Sequence, residues 1–165
     1  MLCGRDFCGR EKRGAAVGKT KRGKGTKLMV LADGKGAPLG IHVDAASPAE
    51  ITLLDATLEQ LDQAKLEGRP ERLIADKAYD SNPAREKLVE RGIEPIIPAR
   101  RNNRKATHQD GRKLRRYRHR WIIERTNSWL QNFRRLVVRY ERSVVNFKAL
   151  VHMACALICL NRVLG

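Results

Sequence analysis

Four side chains in one short stretch are of types that do chemistry. Tyr117, Arg120, Glu124 and Gln131 lie in YRHRWIIERTNSWLQ, which contains no Pro or Gly and reads as one helix. At about 100° per residue they fall within roughly 60° of one another. One face then carries a phenol, a guanidinium, a carboxylate and an amide in a row. The acid stands among Arg112, Lys113, Arg115, Arg116, Arg118, Arg125, Arg134 and Arg135. A bland account of Glu124 is i,i+4 pairing with Arg120, worth only about a few tenths of a kcal/mol. A sharper one is a metal-ligating carboxylate beside a phosphate.

A second acid sits where a strand should end. Arg72–Ala75 (RLIA) runs directly into Asp76, and strand interiors disfavour Asp. Open α/β sheets place their chemistry at the carboxyl ends of strands. The competing account is that Asp76 caps the next loop. If Asp76 and Glu124 converge, two hard carboxylates in a basic cleft are the minimum for Mg²⁺ or Mn²⁺ held between protein and phosphate.

Composition bounds the partners. The 165 residues suit one domain, and 42% hydrophobic content can fill a core. The 34 Lys and Arg outnumber 18 acids, giving a formal charge of +16 spread over most of the length. A compact domain this basic meets a polyanion, nucleic acid before a membrane surface. A ribosomal or chaperone-like RNA-binding protein has the same signature, so charge alone does not establish an activity. The four cysteines lack C-x2-C spacing, which argues against a zinc site. No apolar signal region opens the chain, so a reduced, cytoplasmic setting is expected.

The elements that must position the acids follow in order. Residues 1–26 read as a flexible basic, Gly-rich segment, with Lys19, Lys21, Arg22 and Lys24 available to phosphates. The GAAVGKT run within it misses the phosphate-loop spacing by one residue. Residues 27–165 read as the folded domain. Residues 27–44 form a hairpin turning at Asp33–Gly34, with Asp33 serving the turn. Ser47, Pro48 and Glu50 form a capping box for a helix running to about Lys65. A strand, a second helix and another strand follow, with Asp80 structural and Gly92 ending that helix. Asn146–Leu164 reads as a buried core helix, its apolar run too short to span a bilayer. The whole predicts an α/β fold with a mixed sheet flanked by helices.

These stretches resemble a known family. ADKAYDS around Asp76, the Y-(2)-R-(3)-E spacing of Tyr117, Arg120 and Glu124, the Ala15–Asp33 stretch and FRRLVVRYERSVVNFKAL look like the carboxyl-terminal part of bacterial insertion-sequence DDE transposases. The resemblance covers about residues 14–164. It implies a ribonuclease H-like catalytic domain, with Asp76 as the second catalytic aspartate and Glu124 as the catalytic glutamate. It implies Mg²⁺ or Mn²⁺ on those two, and Tyr117, Arg120, Gln131, Arg125 and the lysines on DNA. Strand cleavage and strand transfer at insertion-sequence ends would follow, acting on double-stranded DNA as a homo-oligomer on nucleoid DNA.

Two departures stand out. Gln131 replaces the usual Lys of the signature, leaving an amide that bonds a phosphate without neutralising it. The family's first aspartate falls at Gly4, and Asp6, two places on, is the one aspartate near it. The chain therefore reads as truncated at its N-terminus, either a decayed copy or the second of two frames joined to an upstream-frame product. The competing classes are a non-catalytic nucleic-acid-binding remnant, an unrelated basic binding module, and a ribonuclease H-like nuclease that cleaves without joining.

Overall fold

Strand β3 (Gly23–Ala32) is buried from Thr26 to its end, and the other layers are arranged around it. The computed structural model describes residues 1–9, 14–21, 23–64, 70–100 and 111–164, with backbone alone at 6–9. One edge of β3 pairs antiparallel with β1 (Leu2–Gly9), Leu2 opposite Ala32 and Gly9 opposite Gly25. The other edge pairs with β2 (Gly18–Thr20) near its start and with β4 (Pro38–Ala45) beyond it. The free edge of β1 pairs parallel with β5 (Arg72–Ile74), and β5 with β6 (Glu94–Ile96). The order β4-β3-β1-β5-β6, antiparallel then parallel, is the ribonuclease H-like mixed sheet expected from the sequence.

Helices cover both faces. On one, α1 (Leu54–Gln63) and α2 (Asn82–Glu90) bury Leu54, Leu58, Leu61 and Leu88 against Met29, Leu31 and Leu73. Ser81 caps α2 by accepting from the Ala84 N–H, and Gly92 ends it at φ 75°. The 3₁₀ turn Arg115–Arg120 follows a short α3 (Gly111–Leu114). It leads into α4 (Trp121–Gln131), α5 (Arg134–Val137) and α6 (Val144–Leu164) on the opposite face. There Ile122, Ile123, Leu130, Leu136, Phe147 and Val151 pack on Leu28, Val30 and Ile74. A strand covered on both faces carries a continuous apolar run, hence KLMVLA. Asp33 serves the turn as expected, accepting from the Lys35 and Ala37 N–H groups at 2.8 Å each.

Four expectations are corrected. The described part of 1–26, expected as a flexible segment, holds β1, β2 and the start of β3, and β3 runs through the expected boundary at 26/27. LCGRDFCG has weak strand propensity, but pairing on both edges outweighs local preference. The Tyr117–Gln131 stretch is not one α-helix, because its first turn is 3₁₀. Residues three apart eclipse in a 3₁₀ turn, so Tyr117 and Arg120 still share a face. The third correction concerns α6, which is 21 residues long with mean hydropathy 1.6, long and apolar enough by length and composition to cross a membrane. It is buried along one stripe, Phe147, Val151, Ala154 and Ile158, while Met153, Leu157, Leu160 and Val163 are exposed.

The capping box is the fourth. The first turn after it is 3₁₀ (Glu50–Leu53), and its N-cap position, Ala49, has no capping side chain. Glu50 instead pairs with Arg5 across the sheet and is buried. Ser47 packs against Gly18, where a Cβ would lie 2.0 Å from Ser47 Oγ and 2.7 Å from its backbone nitrogen. That close approach, not a phosphate loop, explains the glycine of GKT. Burial raises the Glu50 carboxyl above its ordinary range, with Arg5 acting in the opposite direction. A folded-state carboxyl that is raised makes the folded protein bind more protons, so stability falls as pH climbs through the glutamate range. Glu50→Gln should remove that part of the slope, read as a smaller loss of Tm between pH 4 and pH 7 than in the native protein.

Arg139 joins the β2 end of the sheet to the far helices. It is 2% exposed and donates to the carbonyls of Ala15 (3.0 Å), Ala16 (3.3 Å), Glu141 (3.0 Å) and Arg142 (3.4 Å), and to Thr26 Oγ1 (2.8 Å). Its guanidinium lies 5.0 Å from the Phe147 ring centroid. Ala16 turns at φ 55°, a conformation that costs a residue with a Cβ, and these bonds hold it. Arg139→Ala strands several buried acceptors and should cost at least about 3 kcal/mol in chemical denaturation. Hydrogen exchange should show protection lost first at residues 15–20. Arg139→Lys should recover only part, since one ammonium cannot reproduce the planar fork.

Candidate functional site

Asp76 follows β5 at the carboxyl end of the parallel part of the sheet. Its backbone is extended, and its Oδ1 accepts from the Ala78 N–H, capping the 3₁₀ turn Lys77–Tyr79. The capping account of Asp76 is therefore real for one oxygen. Oδ2 lies 3.9 Å from Arg120 Nη1, and the side chain is 39% exposed. The turn behind it is fixed twice over. Tyr79 is buried, with its hydroxyl donating toward Met29 Sδ and accepting from Cys3 Sγ. Burial pushes the Tyr79 phenol well above its ordinary pKa and the Cys3 thiol up to about 12. Asp80 is fully buried, accepting from Arg85 at 2.9 Å and from the Arg100 N–H at 2.6 Å. Arg100 also donates to the carbonyls of Lys77 and Ala78. Asp80 is structural, as expected, and ties the loop after β6 to the Asp76 turn.

Arg120 brings the sequence-derived residues together. It donates to Glu124 Oε1 from Nε (3.1 Å) and Nη2 (2.7 Å), and to the Tyr117 hydroxyl from Nη1 (2.9 Å). The Tyr117 bond, then the bonds to Glu124, raise its pKa further. One guanidinium thus faces both Asp76 and Glu124. Glu124 is 59% exposed, so this pair alone stabilises the fold little. Glu94 steadies the approach to the helix, binding Arg72 from β5 and Lys113 from α3.

The strand between them contributes no carboxylate at the level of Asp76. Leu2 pairs with Ile74, which puts Gly4 two residues further along β1, as Asp76 is along the other chain. A Cβ on Gly4 would lie 2.6 Å from Ile123 Cγ1 and 3.2 Å from Asn127 Nδ2. Asn127 donates to the Arg5 carbonyl at 3.0 Å, tying α4 to β1 at this point. The Asp6 backbone pairs opposite Leu28, and its side chain lies outside the described residues. Among the described residues, no three His, Cys, Asp or Glu side chains converge as a metal-ligand group. The donor set is two carboxylates. Both are hard oxygen ligands, and a cation such as Mg²⁺ commonly takes one or two carboxylates and completes its shell with water and substrate phosphate.

The basic residues divide. Lys19 and Lys24 stand directly opposite each other on the β2–β3 hairpin, with Lys21 exposed at its tip. Like charges opposed across strands are unfavourable unless an anion lies over them. Arg22 lies outside the described residues. The hairpin meets the Gly9 end of β1, about 16 Å along the strand from Gly4 at 3.3 Å per residue, at the same end of the sheet as Asp76. Arg125 is not brought to the carboxylates: it donates to the Lys35 carbonyl at 2.8 Å and lies between the Trp121 and Trp129 rings. Gln131 is exposed two turns beyond Glu124 at the end of α4. Two residues escaped the sequence reading. Glu50 was taken for a helix cap, although its buried charge acts on the Asp76 side of the sheet. Trp121 was counted as an apolar contact and is 51% exposed.

Comparison with known proteins gives the family. A protein of Burkholderia cepacia named "Putative transposase for insertion sequence element IS402" is 36% identical over 142 residues, covering 83% of this chain and 64% of the relative. The chain therefore spans just under two thirds of that relative's length. A cryo-EM structure of a piggyBac transposase synaptic complex with hairpin DNA aligns with a TM-score of 0.48 and 14% identity, over 63% of this chain and 23% of the other. Residues 5–159 match the family described as the transposase DDE domain, and the chain belongs to that family.

Proposed function

We propose that this chain is the catalytic domain of an insertion-sequence transposase, carrying out metal-dependent cleavage and strand transfer at the element's ends. The observation that carries this reading is the meeting of Asp76, from a strand end, and Glu124, from a helix 48 residues on, at one guanidinium. Family membership over residues 5–159 supports it.

Asp76 Oδ2 and Glu124 would hold the divalent cation, Mg²⁺ or Mn²⁺. When bound, the cation supplies Lewis-acid stabilisation and activation of a water or 3′-hydroxyl. Asp6, the one carboxylate on β1, is the candidate for a third ligand. The Asp76 turn keeps its carboxylate oriented through Tyr79 and Asp80, so the ligand sits on a fixed element. Arg120 and Tyr117 place a phosphate of the DNA against the carboxylates. Arg120 has donors to share, since its fork already spans both acids. Lys19, Lys21, Arg22 and Lys24 bind the duplex backbone further along, with Arg125 and Gln131 flanking α4. The partners are double-stranded DNA at the element ends and the target. The acting form is a homo-oligomer on nucleoid DNA in the cytoplasm, with an upstream-frame product as a further candidate partner.

A second reading is favoured by one observation. Gly4 carries no carboxylate, and Ile123 fills the space where one would begin. A non-catalytic DNA-binding remnant would look like this. The experiment that separates the two uses the native chain with labelled element-end duplex and Mg²⁺ or Mn²⁺. Nicking that Asp76→Ala or Glu124→Ala reduces at least about 100-fold, with duplex affinity changed less than about threefold, supports the catalytic reading. Undiminished nicking in those variants refutes it, and binding without nicking in the native chain selects the remnant. Affinity should fall steeply with salt in either case.

A further inference from the structure

Among the described residues, six of the eleven large apolar side chains left exposed lie on α6. Single exposed apolar residues are ordinary on a protein surface, but a contiguous set marks a contact face. Their order on the helix is regular. At about 100° per residue, Ala149, Met153, Ala156, Leu160 and Val163 fall in one stripe, at alternating spacings of four and three. All five are exposed, Met153 by 59% and Val163 by 83%. The stripe faces away from Phe147, Val151, Ala154 and Ile158, which hold α6 to the core. Spacings of four and three form the seam along which a second helix packs, knobs into holes. The separation of two packed helices follows the size of the side chains between them, and Ala149 and Ala156 permit close approach.

Charge indicates what kind of helix fits. No acid occurs between Ser143 and Gly165. Lys148 and His152, both exposed, border the stripe on one side, and Arg142 precedes it. Arg162, on the last turn, lies over the Trp129 ring at 5.3 Å. The other border carries Leu157 and Leu164 and no charge. A second copy of this chain would bring only cations to such a contact, and each copy carries a formal charge of +16. A bilayer is a poor match as well. A helix lying on a membrane keeps a charged face toward water, whereas the face of α6 opposite the stripe is protein core. The complementary surface is a second helix with an apolar stripe and carboxylates along one border.

We propose that the solvent face of α6 docks an amphipathic acidic α-helix of another protein. Its apolar stripe lies along Ala149–Val163, and its carboxylates lie beside Lys148 and Arg142. Val145 to Leu164 spans about 28 Å at 1.5 Å per residue, so the partner helix is about twenty residues long. One helix laid along another covers less than the ~1,200 Å² of a standard interface, so micromolar affinity and ready exchange are expected. No residue of the Asp76–Glu124 site enters the contact, and the inference stands without the catalytic reading.

The test measures binding of fluorescein-labelled peptides to the full chain by anisotropy. Each peptide has 21 residues, the length of α6. The first carries Leu and Ala at spacings of four and three, with Glu at the other positions. The second has the same composition in scrambled order, and the third has Lys in place of every Glu. The first should bind in the micromolar range, and the other two at least about tenfold more weakly. The scrambled peptide measures the general attraction of a basic chain for an acidic one. Leu160→Asp should weaken the first peptide at least about tenfold. Its melting curve should stay native, because the side chain is exposed, and Met153→Asp should repeat the result. Lys148→Glu should weaken the first peptide and strengthen the third. Equal binding of the ordered and scrambled peptides would overturn the proposal, as would full affinity in L160D and M153D. Self-association of the native chain that L160D abolishes, without peptide binding, would assign the face to a second copy instead. Binding to phosphatidylglycerol vesicles that L160D abolishes, without peptide binding, would assign it to lipid. Either result overturns the acidic-helix assignment.

Discussion

A sheet covered on both faces by apolar helices leaves only its ends for charge. That constraint orders the rest of this molecule. β3 is buried from Thr26 to Ala32, and its neighbours bury Leu73, Ile74 and Ile96 in the same layers. An ionised group placed among them would cost several kcal/mol without a partner. Asp76 lies just past β5, where the layer ends and water returns. Lys19, Lys21 and Lys24 lie on the hairpin at the same end, and Glu124 lies on the solvent side of its helix. The chemistry is collected at one end because that is where the core permits it.

The charged groups inside the core follow the complementary rule. Asp80 receives Arg85 and a backbone N–H, and Glu50 receives Arg5. Arg139 meets four carbonyls, a hydroxyl and an aromatic face. The bonds to Arg100, Arg5 and Arg139 join segments far apart in sequence, and two of these centres secure an element that carries a candidate functional group. Asp80 secures the Asp76 turn, and Arg139 secures the residues leading into the lysine hairpin. Buried polar groups are expensive unless satisfied, so their partners specify where these loops must sit. The accessible carboxylates share a single guanidinium, and Asp76 is held in addition by the Ala78 N–H.

What the sequence disclosed depended on whether the information was local. The β3–β4 hairpin, the end of α2 at Gly92, the Asp33 turn and the strand before Asp76 are written in adjacent residues, and the structure has each of them. The Tyr117–Arg120–Glu124 cluster was legible because spacings of three and four keep one face through a 3₁₀ turn and an α-turn alike. β1 was not legible. LCGRDFCG is a strand only because β3 and β5 offer it two edges. Ser47–Glu50 has every local mark of a capping box, yet Glu50 leaves it for Arg5, a partner 45 residues away. The extent of α6 burial was misjudged for a related reason. An apolar run does not say how many of its sides meet protein, and here only one does.

The unequal tolerance of the two halves of the site has a consequence for its history. DNA affinity comes from many cations, each contributing a similar small share, so the loss of any one is diluted among the others. A metal site has no such redundancy, since two or three ligands must be present together and at the right separation. Gly4 carries no carboxylate, and the packing is closed over it: Ile123 takes the space a side chain would need, and Asn127 bonds the neighbouring carbonyl. Placing a carboxylate at position 4 would therefore require α4 to yield as well. Arg120 offsets one of the two negative charges that the acids bring, and the cations around it leave the α4 surface suited to phosphate. Under the proposed function, DNA binding rests on dispersed charge and cleavage on a few carboxylates, none of them supplied by position 4, so binding tolerates substitution better than cleavage does.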